Sequence, residues 1–171
     1  NEVIFPIVSD GVVTQNYGPT TVMINAQVGS IEQNASDFGV VGWAGGLRVT
    51  KQFSETMLNG NYDNDDRNTI ISKDRSIELT SMSNYGTGYI TAKWSNKTAA
   101  VNGSATEMVD TDFPMFRLAD VYLMYAEAVL RGATGGSTVT ARDYVNQLRS
   151  RANNTNTITT SDLTLDLILK E

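Results

Sequence analysis

Four aromatic side chains stand in loops rich in glycine or asparagine: Trp43 in "GWAGG", Tyr17 and Tyr85 each in "NYG", and Tyr62 in "NYDND". A flat ring flanked by such residues can present its face to the apolar C–H surface of a sugar. Loop aromatics are also enriched at binding sites. Trp43, Tyr17, Tyr62 and Tyr85 are therefore the candidate contacts for such a ligand, with local packing as the alternative for each. Trp94, at the end of a predicted strand, reads as core.

Oxygen ligands supply the next candidate chemistry. Asn61, Asp63 and Asp65 alternate as in a calcium loop, where hard oxygen donors surround a sharp turn. The glycine needed at the sixth position is missing, Arg67 falls one residue beyond it, and no Glu stands at the twelfth. The alternative is a solvated turn in which Arg67 pairs with an acid. A glycosidase would need two carboxylates facing each other about 5–9.5 Å apart, and nothing selects such a pair from the 19 acids. Asp120 and Glu127 share a helix face but stand about 10 Å apart along it, which suits structural roles. "GWAGG" lacks the Lys-Ser/Thr ending of a phosphate-binding loop.

Absences exclude more. The 171 residues contain neither His nor Cys. The commonest general base, the commonest metal ligand, thiol catalysis and disulfides are thus all excluded within the segment. No catalytic residue and no cofactor is expected. The net charge of −6 with scattered basic residues argues against nucleic acid. No apolar run reaches the roughly 18 residues that span a bilayer.

The elements that must position these residues divide unevenly. Residues 1–112 read as a loop-rich region with short strands and one short helix. "EVIFPIV" (2–8) is an edge strand broken by Pro6, and "TTVMINAQV" (20–28) alternates in part and could pair with it. Thr50 caps a short helix over "TKQFSETML" with Phe53 and Met57 on one face. The turn at Asn59-Gly60 follows, then short strands in "TIIS" and "GYITAKW", and an irregular polar stretch over 95–112.

Residues 113–171 read as helical. Asp112 is the expected N-cap of a helix with Pro114 in its first turn and Gly132 as its left-handed stop. Leu118, Tyr122, Tyr125, Ala126 and Val129 form its stripe; Leu123 and Leu130 widen it, so burial on most sides is expected. Glu127 and Arg131 are set for an i,i+4 pair. A second helix through "TARDYVNQLRSRA" starts with a capping box of Thr140 and Asp143. A short link makes the two an αα-hairpin, with Ala126 and Ala128 allowing close approach. A third helix starts near Thr164. The chain begins at Asn1 and stops inside this helix, so it reads as an excerpt of a longer protein.

"TDFPMFRLADVYLMYAEAVLRG", then "ARDYVNQLRSRA", then "LTLDLILKE" closely resemble the C-terminal part of the SusD/RagB family, nutrient-binding outer-membrane lipoproteins. The likeness rests on Phe113, Pro114, Arg117, Ala119 and Asp120, and on Asn146, Arg149, Arg151 and Ala152. "GWAGGLRVTKQF", "YDNDDR" and "GYITAKW" match the family more loosely. The resemblance implies a mainly α, SusD-like fold: a tetratricopeptide-type hairpin beside a loop-rich region with short strands, together one incomplete domain. It also implies a non-catalytic protein that binds glycans or other nutrients at the cell surface. Its partners would be an oligosaccharide and a TonB-dependent outer-membrane transporter of the SusC type. Membrane attachment would come only through a lipid anchor outside this segment. The alternative is a helical protein–protein interaction module without sugar binding.

Overall fold

The computed structural model describes residues 2–29, 34–43, 46–72, 74–98 and 101–171. Along the chain these form β1 (Val3–Ile7), α1 (Pro19–Gln27), a 3-10 turn (Ala35–Phe38), α2 (Lys51–Met57), β2 (Ile70–Ile71) and β3 (Ile90–Thr91). Next come β4 (Lys97–Thr98), β5 (Val101–Asn102), β6 (Phe113–Arg117), α3 (Leu118–Leu130), α4 (Thr138–Arg151) and α5 (Leu165–Lys170). The strands pair as β1 with β6, β2 with β3 and β4 with β5, each a two-stranded sheet. The fold is mixed, with five α-helices and three small sheets among the described residues. The expectation of a mainly α chain is corrected accordingly.

The chain divides into two compact units. One comprises Asn1–Phe5, Asn59–Asn68 and Pro114–Glu171, and the other Pro6–Leu58 and Thr69–Phe113. We call them the helical unit and the loop unit.

In the helical unit α3 and α4 form the expected αα-hairpin. Ala126 and Ala141 meet in its core with Val145, Ile158, Leu163 and Ile168. Tyr144 stacks on Tyr122 (centroids 4.2 Å, 4° between planes) and meets Tyr125 edge-on at 5.2 Å. The Tyr125 hydroxyl accepts from the Ser137 N–H at 3.0 Å, fixing the hairpin turn to α3. Gly132 has φ +88°, as its role as a stop requires. The Glu127–Arg131 pair forms at 2.7 Å. Thr164 caps α5 by accepting from Leu167 N–H.

Several details differ from expectation. Phe113–Arg117 is a strand, and α3 begins only at Leu118. Proline lacks the N–H a central ladder needs, and so fits the edge of a two-stranded sheet as readily as a first helical turn. Asp120 accepts from Arg117 N–H at 3.1 Å at the true start, while the Asp112 carboxylate takes the N–H of Ser9. The α4 cap is Ser137, which accepts from Thr140 N–H; Asp143 pairs with Arg142 instead. Ala128 is exposed, so close approach belongs to Ala126. Val121 and Met124 are exposed as well, and α3 is buried on one side only.

In the loop unit the largest correction is α1, expected as a strand and found as a helix starting at Pro19. Its buried positions Thr20, Thr21, Ile24, Asn25, Gln27 and Val28 recur with helical period. Ile24 and Val28 join Ala35, Val40 and Val109 in the core, with Phe38 and Trp94 packed against it. Trp94 thus lies against the core, as expected. Thr50 caps α2 by accepting from Phe53 N–H, and β2 pairs antiparallel with β3.

Candidate ligand-binding site

The last carbonyls of a helix have no partner within it, and α1 uses two of its own to hold the glycine-rich stretch. Trp43 N–H donates to Asn25 O at 2.7 Å and Leu47 N–H to Ala26 O at 2.8 Å. The fully buried Asn25 side chain accepts from Gly42 N–H at 3.0 Å and donates to Thr21 O and Glu107 O. Ala44 and Gly45 lie outside the described residues. Gly42 has φ +74°, and a Cβ there would lie 2.6 Å from the Ala35 methyl and 2.9 Å from Gly29 Cα. Only glycine fits that position.

This anchoring puts Trp43 at the surface. It is 37% exposed, and its ring centroid stands 6.1 Å from that of Tyr17, tilted by 47°. Tyr17 is 58% exposed and Tyr85 50%. Tyr85 approaches the same stretch: a Cβ on Gly46 would sit 3.8 Å from Tyr85 Cε1 and 3.9 Å from the Trp43 carbonyl oxygen. Three of the four aromatic residues singled out by loop context therefore gather around one glycine-rich segment of the loop unit. Asn25, which sets that segment, was not legible because its stretch reads as a strand.

Tyr62 does not join them. It is 3% exposed in the helical unit, with the guanidinium carbons of Arg67 and Arg149 at 6.0 and 5.8 Å from its ring centroid. Its hydroxyl donates to Glu171 Oε1 at 3.2 Å. Burial, and then the Glu171 carboxylate, push its phenol up to about 12, so it stays protonated. A ring enclosed in this way has no face to offer, and Tyr62 is withdrawn as a ligand contact.

The calcium-like triplet is drawn into the same network. Asp65 is buried and accepts from Arg67 N–H (2.8 Å), Nε (2.8 Å) and Nη2 (2.6 Å) and from Asn154 Nδ2 (2.9 Å). Burial pushes the Asp65 carboxyl up, but these donors outweigh it and hold the group below the usual carboxylate range. Arg67 Nη2 also reaches Glu171 Oε2 at 3.1 Å, and Arg149 Nε reaches Glu171 Oε1 at 2.7 Å. The Asn61 carbonyl accepts from Asn154 and Asn156. With the Asp65 oxygens committed to Arg67 and Asn154, the Asn61, Asp63, Asp65 spacing does not amount to a cation site. Among the described residues no cluster of three acidic side chains is arranged to hold a metal. Arg67 does pair with an acid, as the alternative reading had it, but inside the protein rather than in solvent.

On the helical unit, Glu2, Leu118, Ala119, Tyr122, Gln147, Leu148 and Arg151 line a groove. Glu2 pairs there with Arg151 and, at 3.9 Å, with Arg117. Asp120 and Glu127 are occupied by Arg117 and Arg131.

The family model describing the SusD family matches residues 50–171, most of the chain. The chain belongs to the SusD family. Over 87 residues, half of the chain, it is 38% identical to the starch-binding protein SusD of Bacteroides thetaiotaomicron, and that match spans 15% of the relative's length. SusD-family proteins are non-catalytic binding proteins. The family match contains the whole Asp65–Arg67–Arg149–Glu171 network and Tyr85, whereas Tyr17 and Trp43 precede it. Among the described residues no helix is long and apolar enough to cross a membrane.

Proposed function

We propose that the full-length protein binds glycans at the bacterial cell surface, without catalysis, and passes them to a TonB-dependent outer-membrane transporter of the SusC type. In this reading it is lipid-anchored in the outer membrane through a segment outside these 171 residues. On the same reading the α3–α4 hairpin is a tetratricopeptide-type scaffold, and residues 6–58 and 69–113 supply the loops. The observation that carries the reading is the exposed group of Tyr17, Trp43 and Tyr85 in a chain of this family. Adjacent flat faces suit the apolar faces of successive sugar rings, and tyrosine and tryptophan keep a polar edge for hydroxyl groups.

The test is calorimetric titration of the full-length protein with a glycan panel that includes maltoheptaose, chosen because the relative SusD is starch-binding. Trp43→Ala is expected to weaken the best ligand about tenfold, which is roughly 1.4 kcal/mol. Flat titrations across the panel would refute the reading.

A second reading, a helical protein–protein interaction module, draws on one observation: Leu118, Val121 and Met124 form an exposed apolar row on α3. Binding of a protein partner that is lost in Val121→Glu and indifferent to Trp43→Ala would favour it.

A further inference from the structure

We propose that Arg48 is a positioning residue for the aromatic face, holding Tyr85 beside Gly46. Two arginines of the loop unit converge on the backbone of residues 82–88. Arg48 donates from Nη1 to Asn84 O at 3.0 Å and from Nη2 to Met82 O at 2.9 Å. Its guanidinium carbon stands 5.6 Å from the centroid of the Tyr85 ring. Arg75, almost fully buried, donates from Nη1 to Tyr85 O at 2.6 Å and to Gly88 O at 3.2 Å. Four carbonyls of one seven-residue loop are thus gripped by two side chains.

The geometry depends on guanidinium chemistry. A planar fork can reach two separate carbonyls while its charge stands over a ring; a compact ammonium matches that spread of acceptors less well. The Arg48 stem crosses the loop at Gly88, where a Cβ would lie 3.0 Å from Arg48 Cδ. Val49 N–H donates to Tyr89 O at 3.0 Å and fixes the next residue of the glycine-rich stretch to the far end of the same loop. Arg48 therefore stands where the Trp43 segment and the Tyr85 loop meet. It occupies one face of the ring and leaves half of Tyr85 exposed. An unheld ring would have to be ordered by the ligand, at a cost of roughly five- to thirtyfold in affinity.

This inference rests on the glycan-binding reading for its ligand but not for its geometry, and the test separates the two. Full-length wild type, Arg48→Met, Arg48→Lys, Tyr85→Ala and the Arg48→Met/Tyr85→Ala double variant are titrated with maltoheptaose. Amide hydrogen exchange is followed by mass spectrometry over residues 82–88 and over α1. Arg48→Met should weaken binding about tenfold and speed exchange over 82–88 with α1 unchanged. Arg48→Lys should fall between it and wild type. The double variant should bind no worse than Tyr85→Ala, because Arg48 acts through that ring. Additive losses in the double variant, or unaltered exchange over 82–88 in Arg48→Met, would overturn the proposal. If wild type is silent across the whole glycan panel, the glycan reading fails. Exchange then decides the role of Arg48 alone, faster exchange supporting it and unaltered exchange overturning it.

Discussion

Replacing Asp65 by alanine tests the buried network of the helical unit most sharply. Two cations, Arg67 and Arg149, face two carboxylates, Asp65 and Glu171, so the enclosed charge balances. Asp65→Ala removes one negative charge and the acceptor of four hydrogen bonds. Stripping one partner from a buried pair costs about 3–5 kcal/mol. Arg67 keeps Glu171 at 3.1 Å and its side chain is 22% exposed, which places the loss near the lower end, at about 3 kcal/mol. With a urea slope of roughly 2 kcal/mol per molar, the unfolding midpoint should fall by about 1.5 M. Arg67→Met should cost a similar amount, since it leaves two carboxylates to one arginine. The decisive variant is the double one. Without Asp65 and Arg67 the remaining Arg149–Glu171 pair is balanced again, so the combined loss should lie below the sum of the singles by about 1–3 kcal/mol. Strict additivity would show that the charges do not act as a unit and refute the reasoning.

Acid should weaken the same network. The Asp65 carboxyl is held below its unfolded value of 3.8. Its stabilising contribution is therefore complete above that pH and lost as pH falls through the lower folded value; urea midpoints measured from pH 6 down to pH 2 should decline less in Asp65→Ala than in wild type. Gly42→Ala combines a left-handed φ with a 2.6 Å clash and should cost about 2–4 kcal/mol. In a Trp94→Phe background it should also change the fluorescence and quenching of Trp43. Ala126→Leu should overpack the hairpin and lose about 1–3 kcal/mol, whereas Ala128→Leu, at an exposed position, should stay within about 0.5 kcal/mol by thermal unfolding.

The hairpin was legible because its inward positions are apolar at helical spacing and Gly132 ends its first helix; its caps, Arg117 and Ser137, were not. Boundaries were less legible: Pro114 is compatible with a first helical turn and with an edge strand, and only the pairing of β1 with β6 decides between them. Helix α1 does not show in the sequence because its buried face carries Thr20, Thr21, Asn25 and Gln27 beside Ile24 and Val28. Side chains satisfied by hydrogen bonds replace the apolar stripe on which periodicity relies. The candidate face was legible in part. Loop context picks out Trp43, Tyr17 and Tyr85, but it picks out Tyr62 equally, and Glu171, which accepts from its hydroxyl, lies 109 positions away. That Arg67 would pair with an acid was visible; that the acid is Asp65, buried with Asn154 and Glu171, was not.

The ten residues Asn59–Asn68 belong to the helical unit although loop-unit chain precedes and follows them. In terms of descent, residues 6–58 and 69–113 are two excursions that leave the scaffold and return to it, each tethered at both ends. Between them Tyr62, Asp65 and Arg67 are locked to Arg149, Asn154 and Glu171. Trp43 and Tyr85, the candidate contacts of the proposed reading, both lie on these excursions. The same arrangement forbids a shortcut: the hairpin expressed from residue 114 onward would carry Arg149 and Asn154 without the segment that completes them.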